Sequence, residues 1–451
     1  MRARLTVIGG GLAGCEAAWQ AANLGADVDL YEMRPHSSGP AHQTGRLAEL
    51  VCSNSLRGAA LENAVGLLKE ELARLDSIII TSAREAAVPA GGALAVDRAK
   101  FADAVEQRIV NHPRIALHRE EILSIPLDRP TIVACGPLPN ETFLASLDAL
   151  VAERLAYFDA ASPIVAADSI DESFMYRKSR YEKGDGDDYL NIPLDREQYA
   201  QLLHDLRTLE RHAPKDFESG GKYFEGCLPI EEMADRGDDT LRFGPLKPVG
   251  LRHPQTGITP HAVVQLRKEN AAGSAFNLVG FQTRLSWPAQ REAFGKLPGM
   301  ANAEWLRLGV MHRNSFIDSP RLLDSRLRLR GHDALYFAGQ ITGAEGYVEA
   351  AACGLMTGTH AARAILGLEP VEFPRESAFG AVVAHLQNTE THDFQPANVT
   401  WSYFPPLERE IRDKKERRGL MAQRALAAID GFVAYTATRI AVLDGAGTAS
   451  S

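Results

Sequence analysis

Cysteine is scarce in this 451-residue chain, and none of its five cysteines lies in a C-x-x-C pair. That absence argues against a redox-active disulfide of the thioredoxin-reductase type and against a cysteine zinc site, and we expect no bound metal. Long apolar runs are also missing, since no stretch approaches the roughly 18 residues that span a bilayer. The opening sequence MRARLTVIGGG enters a strand at once. It leaves no room for a signal peptide, so we expect a cytoplasmic protein without membrane contact.

Positive charge is in deficit, because the formal net charge is -9 at pH 7. This deficit argues against non-specific binding of nucleic acid by the whole surface, but a local patch needs only a few well-placed cations. Two basic stretches stand out, RLLDSRLRLR at 321–330 and LEREIRDKKERRGLMAQR at 407–424. Each is a candidate for contacts with RNA phosphates or, equally, a solvated helix face with mixed ion pairs.

A dinucleotide-binding pattern opens the chain. RLTVIGGGLAGCEAAWQAANLGADVDLYEMR predicts a strand, a glycine turn, a helix and a second strand that ends in an acid. The glycines permit a tight turn, close approach of a pyrophosphate and packing of the helix on the strand, and the acid suits ribose hydroxyls. The alternative is a glycine-rich turn in an unrelated α/β domain. The predicted binding residues are Gly9, Gly10, Gly11, Leu12, Ala13, Gly14 and Glu32.

A second segment near the other end of the chain favours FAD over a nicotinamide cofactor. DALYFAGQITGAEGYVEAAACGLMTGTHAARAILG predicts a strand that breaks at Gly339 and Gln340 and a helix that begins near Tyr347. A helix that starts there points its N-terminus at the electron-rich edge of a flavin. The alternative is an ordinary core strand and helix. Arg34 follows Glu32 closely, and we do not interpret it as a selector for a nicotinamide 2'-phosphate.

The two flavin segments enclose about 300 residues, and their composition indicates an insertion. HAVVQLRK and AFNLVGFQT alternate like strands, whereas NAVGLLKEELARLDSIII predicts a helix that feeds a strand. We therefore predict an α/β protein: a Rossmann-like FAD-binding domain of the glutathione-reductase type with an inserted α/β domain that has a mixed sheet. The predicted boundaries are 1–155 and 310–451 for the FAD-binding domain and 156–309 for the insert, which faces the substrate.

Two cysteines lie in loops rather than in regular elements. Cys52 stands in ELVCSNSLRG and Cys227 in YFEGCLPIEEMA, both polar contexts without periodicity. A thiol near cations has an increased thiolate fraction and is a candidate nucleophile, although a structural thiol is the alternative. Cys15 follows the packing glycine Gly14, and Cys135 lies at the end of a predicted strand. Both are predicted core residues.

The motifs together resemble one family closely. GGGLAGCEAAWQAANLG, the ELVCSNSLRG and YFEGCLPIEEMA loops, LGVMHRNSFIDSP, LYFAGQITGAEGYVEAAACGL and FPPL are similar to segments of the folate- and FAD-dependent bacterial tRNA uracil-5-methyltransferases. The resemblance extends from residue 1 to about 440. It implies methylation of uridine 54 in the T-loop of tRNA, with carbon from methylenetetrahydrofolate and electrons from FAD reduced by NAD(P)H. No obligate protein partner is implied.

The resemblance also implies that Cys52 and Cys227 are catalytic. Adding a thiolate to carbon 6 of uracil turns carbon 5 into a nucleophile, and a second group must later remove the carbon-5 proton. We assign Cys227 as the nucleophile and Cys52 as its partner beside the flavin, and the reverse assignment stays open. His312, Arg313 and Asn314 are weaker candidates for contacts with folate, flavin or RNA, or for a structural role.

Three other functions remain open from the sequence. The first is modification of the wobble uridine by a sister enzyme, although those relatives are longer. The second is a tRNA-binding protein with a structural flavin. The third is a plain flavin oxidoreductase, against which the missing C-x-x-C pair and second G-x-G-x-x-G argue. NAD(P)H is therefore expected to bind transiently at the flavin face.

Overall fold

The computed structural model describes residues 4–151, 154–212, 222–223, 228–390 and 394–447. The strands are β1 (Leu5–Ile8), β2 (Val28–Tyr31), β3 (Ser55–Gly58), β4 (Ala87–Val88), β5 (Ala93–Val96), β6 (Ile115–His118), β7 (Thr131–Val133), β8 (Arg154–Ala160), β9 (Ile164–Ala166), β10 (Tyr176–Arg177), β11 (Tyr189–Leu194), β12 (Lys222–Tyr223), β13 (Ala262–Lys268), β14 (Ala275–Leu278), β15 (Trp305–Arg307), β16 (Met311–Ile317) and β17 (Leu335–Phe337). The α-helices are α1 (Leu12–Asn23), α2 (Ala64–Arg74), α3 (Ile78–Glu85), α4 (Arg98–Asn111), α5 (Glu141–Val151), α6 (Arg196–Thr208), α7 (Ile230–Asp235), α8 (Thr240–Phe243), α9 (Trp287–Gly295), α10 (Ser319–Leu322), α11 (Tyr347–Ile365), α12 (Ala378–Leu386) and α13 (Lys414–Gly447).

A parallel sheet in the order β17-β7-β1-β2-β6 brings both ends of the chain together. Strands β1 and β17 both pair with β7, and β1 is buried along its whole length. Helices α1 and α11 pack against each other beside this sheet. Glycines make their close approach possible, because a Cβ on Gly354 would lie 2.2 Å from the Ala13 carbonyl oxygen. The α/β fold class predicted from the sequence is confirmed.

The inserted part of the chain forms a second sheet in the order β10-β11-β13-β14-β9-β15, with antiparallel pairing throughout. The mixed pairing lies in the smaller sheet β12-β8-β16, where β12 is parallel and β16 antiparallel to β8. A third small sheet, β3-β5-β4, follows the Cys52 loop. Strands predicted in HAVVQLRK and AFNLVGFQT are present as β13 and β14.

Two separate hydrophobic cores underlie this arrangement. One draws on residues 5–157 and 316–429, and the other on residues 165–300. The exact domain boundaries at 155/156 and 309/310 stay a prediction. In the described ranges, no helix combines the length and apolar character needed to cross a membrane. The same ranges contain no cluster of three or more His, Cys, Asp or Glu side chains that could hold a metal ion.

One predicted strand is wrong. The apolar run SIII after α2 forms the start of helix α3 and not a strand. The Ser77 hydroxyl accepts a hydrogen bond from the Ile80 amide at 3.2 Å, and the buried Glu16 carboxylate accepts one from the Ile79 amide at 3.2 Å. These two side-chain acceptors satisfy amides that a helix start leaves unpaired. Since three consecutive apolar residues carry no period, tertiary contacts decided the outcome.

Candidate cofactor and substrate site

The glycine turn after β1 presents open backbone at the start of α1. Gly9 has φ +104°, and a Cβ there would lie 2.3 Å from the Ala134 carbonyl oxygen. A Cβ on Gly14 would lie 1.7 Å from the Gly9 carbonyl oxygen, so helix and turn require both glycines. A Cβ on Gly11 would meet nothing within 4 Å, and α1 begins directly afterwards at Leu12. An open glycine at a helix N-terminus is the arrangement that binds a pyrophosphate.

The acid at the end of β2 is held in place by an arginine. The Glu32 carboxylate accepts hydrogen bonds from the Gly10 amide at 2.8 Å, the Arg34 amide at 3.0 Å, and Nε and Nη2 of Arg34 at 2.8 and 3.0 Å. Burial disfavours its charge, but the hydrogen bonds and charge of Arg34 outweigh that effect and lower the pKa of Glu32. Arg34 also pairs with Glu49 at 3.1 Å. The Arg34 side chain is therefore already paired with two carboxylates, in keeping with our interpretation that it does not select a 2'-phosphate.

The second flavin segment and the glycine turn line the same cavity. Gly339 has φ +82°, and a Cβ there would lie 2.9 Å from the Ala13 Cβ. Helix α11 begins at Tyr347, as the sequence predicts. We call the resulting space of about 160 Å³ the cofactor cavity; its walls include Gly9, Gly11, Leu12, Ala13, Glu32, Gly136, Gly339, Gln340 and Tyr347. Gly10 and Gly14 support this wall through the Glu32 and Gly9 contacts described above.

A second space of about 270 Å³, the substrate cavity, adjoins the cofactor cavity. The two share Val51, Gln340 and Tyr347 in their walls. The substrate cavity is also lined by Cys52, Ser53, Arg57, Arg267, Gln282, His312, Asn314 and Glu345. The chain thus places one of the two predicted catalytic thiols in the substrate cavity, next to its junction with the cofactor cavity.

The Cys52 loop is fixed by hydrogen bonds to its backbone. The amides of Cys52 and Ser53 both donate to the Tyr347 hydroxyl oxygen, at 2.7 and 3.1 Å. Burial, followed by the neighbouring Cys52, raises the pKa of Tyr347, so the phenol stays neutral while it accepts these bonds. The Cys52 side chain is half-buried, and its sulfur lies 3.8 Å from the Ala160 carbonyl oxygen. The backbone is therefore rigid while the thiol faces the substrate cavity.

Residues from the insert complete this anchoring. The fully buried Asn54 donates its side-chain amide to the carbonyl oxygens of Val96 at 3.0 Å and Lys268 at 2.9 Å. Arg267 donates to the Asn54 side-chain oxygen at 2.9 Å and to the Ser53 hydroxyl at 2.7 Å. Because Arg267 belongs to β13 of the second sheet, both sheets determine where Cys52 lies.

Two buried carboxylates flank Tyr347 in the sequence and face the same region. Nη2 of Arg57 donates to both carboxylate oxygens of Glu349, which also accepts the Val399 amide at 2.9 Å. Glu345 accepts the Tyr157 hydroxyl and the Gln340 side-chain amide, the latter at 2.9 Å. These contacts tie the Cys52 loop, strand β8 and the start of α11 into one network.

Strand β16 divides the three weaker candidates between two faces. His312 and Asn314 line the substrate cavity, whereas Arg313 is exposed on the other face. Burial, followed by the nearby Arg307, lowers the pKa of His312, so the ring is neutral near pH 7. Its Nε2 atom is buried and has no hydrogen-bond partner among the described residues. His312 is therefore placed to contact a molecule in the substrate cavity, whereas Arg313 lies outside that cavity.

The sequence interpretation missed Arg267, Glu345 and Glu349 as site residues. Arg267 stands in an otherwise apolar alternating strand, VVQLRK, where a charged residue on the buried face is the available signal. Glu345 and Glu349 flank Tyr347 in AEGYVEAAA, and acids beside small apolar residues gave a similar signal.

The second predicted thiol, Cys227, lies outside the described residues. The chain is described again from the buried Leu228 onward. Two residues later, the Ile230 amide donates to the Gln282 carbonyl oxygen at 2.7 Å, and Gln282 lines the substrate cavity.

Comparison with known proteins decides the family. The family model described as "Glucose inhibited division protein A" matches residues 4–369. A methylenetetrahydrofolate--tRNA-(uracil-5-)-methyltransferase TrmFO from Pelobacter propionicus is 54% identical over 434 residues, which are 96% of this chain and 95% of the relative. The protein of the same name from Heliobacterium modesticaldum is 55% identical over 431 residues, covering 95% and 98% of the two chains.

The chain belongs to this methyltransferase family. It is therefore an enzyme of the tRNA methyltransferase class, and the resemblance drawn from its motifs is confirmed. The structure of Aquifex aeolicus GidA in the form I crystal aligns with a TM-score of 0.68 at 16% identity, covering 94% of this chain and 75% of that one. This second likeness shows the shared fold, and the much higher identity to the TrmFO proteins separates the chain from that relative.

Proposed function

We propose that this family member methylates carbon 5 of uridine 54 in the T-loop of tRNA, with carbon from methylenetetrahydrofolate and electrons from FAD that NAD(P)H reduces. One observation carries the proposal: Cys52 lines the substrate cavity where it meets the cofactor cavity, beside the shared Tyr347. A structural flavin would not require a fixed thiol at this junction.

The cofactor cavity fits FAD through its own residues. The open Gly11 and the N-terminus of α1 suit the pyrophosphate, and Glu32 closes the far end where a ribose would lie. Gly339 and the start of α11 stand at the opposite end, next to the substrate cavity. Bound there, FAD supplies the electrons that convert a carbon at the formaldehyde level into a methyl group.

The thiols activate the uracil. The Cys227 thiolate adds to carbon 6, so that carbon 5 becomes the nucleophile that takes the one-carbon unit. The Cys52 thiolate then removes the carbon-5 proton, and the electron pair of that bond expels the carrier nitrogen from the one-carbon unit. When that carbon is reduced to a methyl group, the carbon 6–sulfur bond breaks and Cys227 leaves as a thiolate. In support of two thiols at one site, Cys52 lines the substrate cavity, and the Ile230 amide, three residues after Cys227 in the sequence, pairs with Gln282 of the same wall.

Uridine 54 must leave the tRNA fold to reach these groups. Extraction of a stacked base costs a few kcal/mol, which contacts with the rest of the tRNA have to offset. Exposed cations at the start of α13, namely Lys414, Lys415 and Arg417, are available for phosphate contacts. In the other basic stretch, Arg326 pairs with Glu372 and Arg328 with Asp324, which favours α13.

Cysteine variants test the proposal in a methylation assay with unmodified tRNA, methylenetetrahydrofolate and NADPH. Cys52→Ala and Cys227→Ala should each abolish methyl transfer while FAD absorbance and tRNA binding persist. Cys353→Ala, a buried thiol of α11 that lines neither cavity, is the matched control and should keep activity. Transfer that persists without folate would favour the sister wobble-uridine reaction. Full activity of both variants would contradict the thiol mechanism.

A further inference from the structure

A register shift in β15 places Arg307 on the opposite face of the sheet from Trp305. In the pairing of β15 with β9, Trp305 lies opposite Val165 and Arg307 opposite Ile164, so the register shifts between them. Trp305 packs against Phe294 in the second core, with ring centroids 6.1 Å apart. Bulges re-aim a side chain from one face of a sheet to the other, and they occur often beside active sites.

The re-aimed arginine joins a row of polar residues across the second sheet. Arg267 lies opposite Asn277, Asn277 opposite Ile164, and Ile164 opposite Arg307. Residues that face each other across antiparallel strands lie on the same face of the sheet. Arg267 of this row contacts the Cys52 loop. Arg267 also lines the substrate cavity, so the row extends from a wall of that cavity to Arg307, whose charge acts on Cys52, Tyr347 and His312.

Positive charge is in surplus at this wall. Arg98, Arg267 and Arg307 all interact with the same carboxylate, Glu269. Arg98 binds that carboxylate at 2.6 Å, and Arg267 donates to the neutral Ser53 and Asn54 side chains. Arg307 makes no hydrogen bond or ion pair with any residue in the part of the chain that the structure describes. Burial, followed by Arg98, lowers the pKa of Arg307.

Unused hydrogen-bond donors surround the same place. Nη2 of Arg98 and Nδ2 of Asn277 are buried without partners among the described residues, and so is Nε2 of His312. Asn277 is 3% exposed, so water does not replace a partner there. One buried acceptor, Oε1 of Glu269, is also unused. Buried polar groups are normally paired, and donors that outnumber acceptors beside surplus cations call for a ligand rich in negatively charged oxygens.

We propose that Arg307, with Arg98 and Asn277, binds a phosphate of the RNA substrate adjoining the base that enters the substrate cavity. The inference rests on the proposed function and assigns a further binding residue to the same site. A carboxylate of the folate tail has similar chemistry. However, a nucleotide's own phosphate lies about one ribose from its base, whereas the folate carboxylates lie beyond an aminobenzoyl group. Arg98 donates to the Leu50 carbonyl oxygen and Arg267 to the Ser53 hydroxyl, on either side of Cys52, and this closeness of the cluster to the thiol favours the phosphate.

The test compares Arg307→Ala with wild type on unmodified tRNA and on the same tRNA with a neutral methylphosphonate 5' to uridine 54. Wild type should bind the modified tRNA about tenfold more weakly at low salt, and Arg307→Ala should bind both RNAs equally weakly. The slope of log Kd against log salt should fall by about 1 in the variant. The KM for methylenetetrahydrofolate should stay unchanged.

Two variants control for charge and folding. Arg129→Ala removes the same charge from the exposed Arg129–Asp128 pair just before β7, and it should bind tRNA like wild type. Arg307→Lys should retain the salt slope. Because Arg307 has no partner among described residues, Arg307→Ala should keep its Tm and FAD absorbance.

Either of two results would overturn the assignment. A raised folate KM with unchanged tRNA affinity would give the site to the folate tail, and unchanged values for both would leave Arg307 without a ligand. In each case the wild-type enzyme would still methylate tRNA. If the wild-type enzyme did not methylate tRNA, that result would instead reject the proposed function itself.

Discussion

Tyr347 connects the cofactor cavity to the Cys52 loop through one oxygen atom. That oxygen accepts the amides of Cys52 and Ser53, and the ring lines both cavities. A neutral phenol accepts two hydrogen bonds and still has a proton to donate. The residue therefore positions the Cys52 loop in addition to lining the cofactor cavity.

Tyr347→Phe should reduce kcat by about 10-fold or more, because it leaves two amides without an acceptor at a cost of roughly 1–3 kcal/mol. FAD should remain bound, since the ring still closes the cavity. Steady-state methylation kinetics and flavin absorbance measure the two effects. Tyr199→Phe, which loses a bond to the Asp238 carbonyl oxygen in the insert, is the matched control. A wild-type kcat in Tyr347→Phe would contradict this role.

Glu71 gives the fold a pH-dependent contribution. Its carboxylate is fully buried at the start of α12 and accepts the Ala378 amide at 2.8 Å. Burial raises its pKa from 4.5 to about 8. Between about pH 4.5 and 8, the native state therefore keeps a proton that the unfolded state has released. The contribution of Glu71 to the free energy of unfolding is full below about pH 4.5 and is lost as the pH rises through about 8.

Glu71→Gln should remove that dependence. Between about pH 5 and 8, the stability difference between variant and wild type should shift in favour of the variant by on the order of 1–3 kcal/mol. Urea unfolding at several pH values measures the difference. A difference that stays constant with pH would show that Glu71 is ionised in the native state.

Helices α1 and α11 hold the two flavin segments together, and small residues determine their spacing. A Cβ on Gly358 would lie 2.4 Å from the Ala17 carbonyl oxygen, much as at Gly354. Backbone atoms cannot move aside as a flexible side chain can. The two helices begin at Leu12 and Tyr347, on either side of the cofactor cavity, so their separation controls its width.

Gly354→Val should therefore weaken FAD binding and lower Tm, because overpacking costs typically 1–3 kcal/mol. Gly419→Ala in α13 is the matched control. A Cβ there meets nothing within 4 Å, and alanine should stabilise the helix by up to about 1 kcal/mol. Flavin release on heating and Tm measure both changes. Unchanged FAD affinity in Gly354→Val would show that the cavity width does not depend on this contact.

The sequence predicts elements where local chemistry determines them. The turn at Gly9–Gly14, the start of α11 at Tyr347 and strands β13 and β14 all follow from glycine geometry or strong alternation. Residues 78–80 were predicted as a strand because an apolar triplet has no period, and Glu16 and Ser77 cap them as a helix instead. Arg267 leaves a local signal, a charge on the buried face of an alternating strand, but the place of Arg307 depends on a register shift between strands that no local pattern encodes.

The whole molecule assembles its site from two cores. The glycine turn, the Cys52 loop and α11 belong to the first core, while β13, β14 and β15 of the second provide Arg267, Asn277 and Arg307. Arg267 reaches the Cys52 loop, and Arg98 of α4 reaches Glu269. The catalytic loop is therefore held by both cores, and movement of one core relative to the other would displace the thiol.

The central claim is that methylenetetrahydrofolate donates the methyl carbon and that uridine 54 accepts it. One measurement tests both parts directly. Unmodified tRNA is incubated with the FAD-loaded enzyme, NADPH and methylenetetrahydrofolate that carries carbon-13 in its methylene group. Nuclease digestion and mass spectrometry then locate the label. The account predicts labelled 5-methyluridine at position 54 and nowhere else. Label at another uridine, or unlabelled methyl groups at position 54, would contradict it.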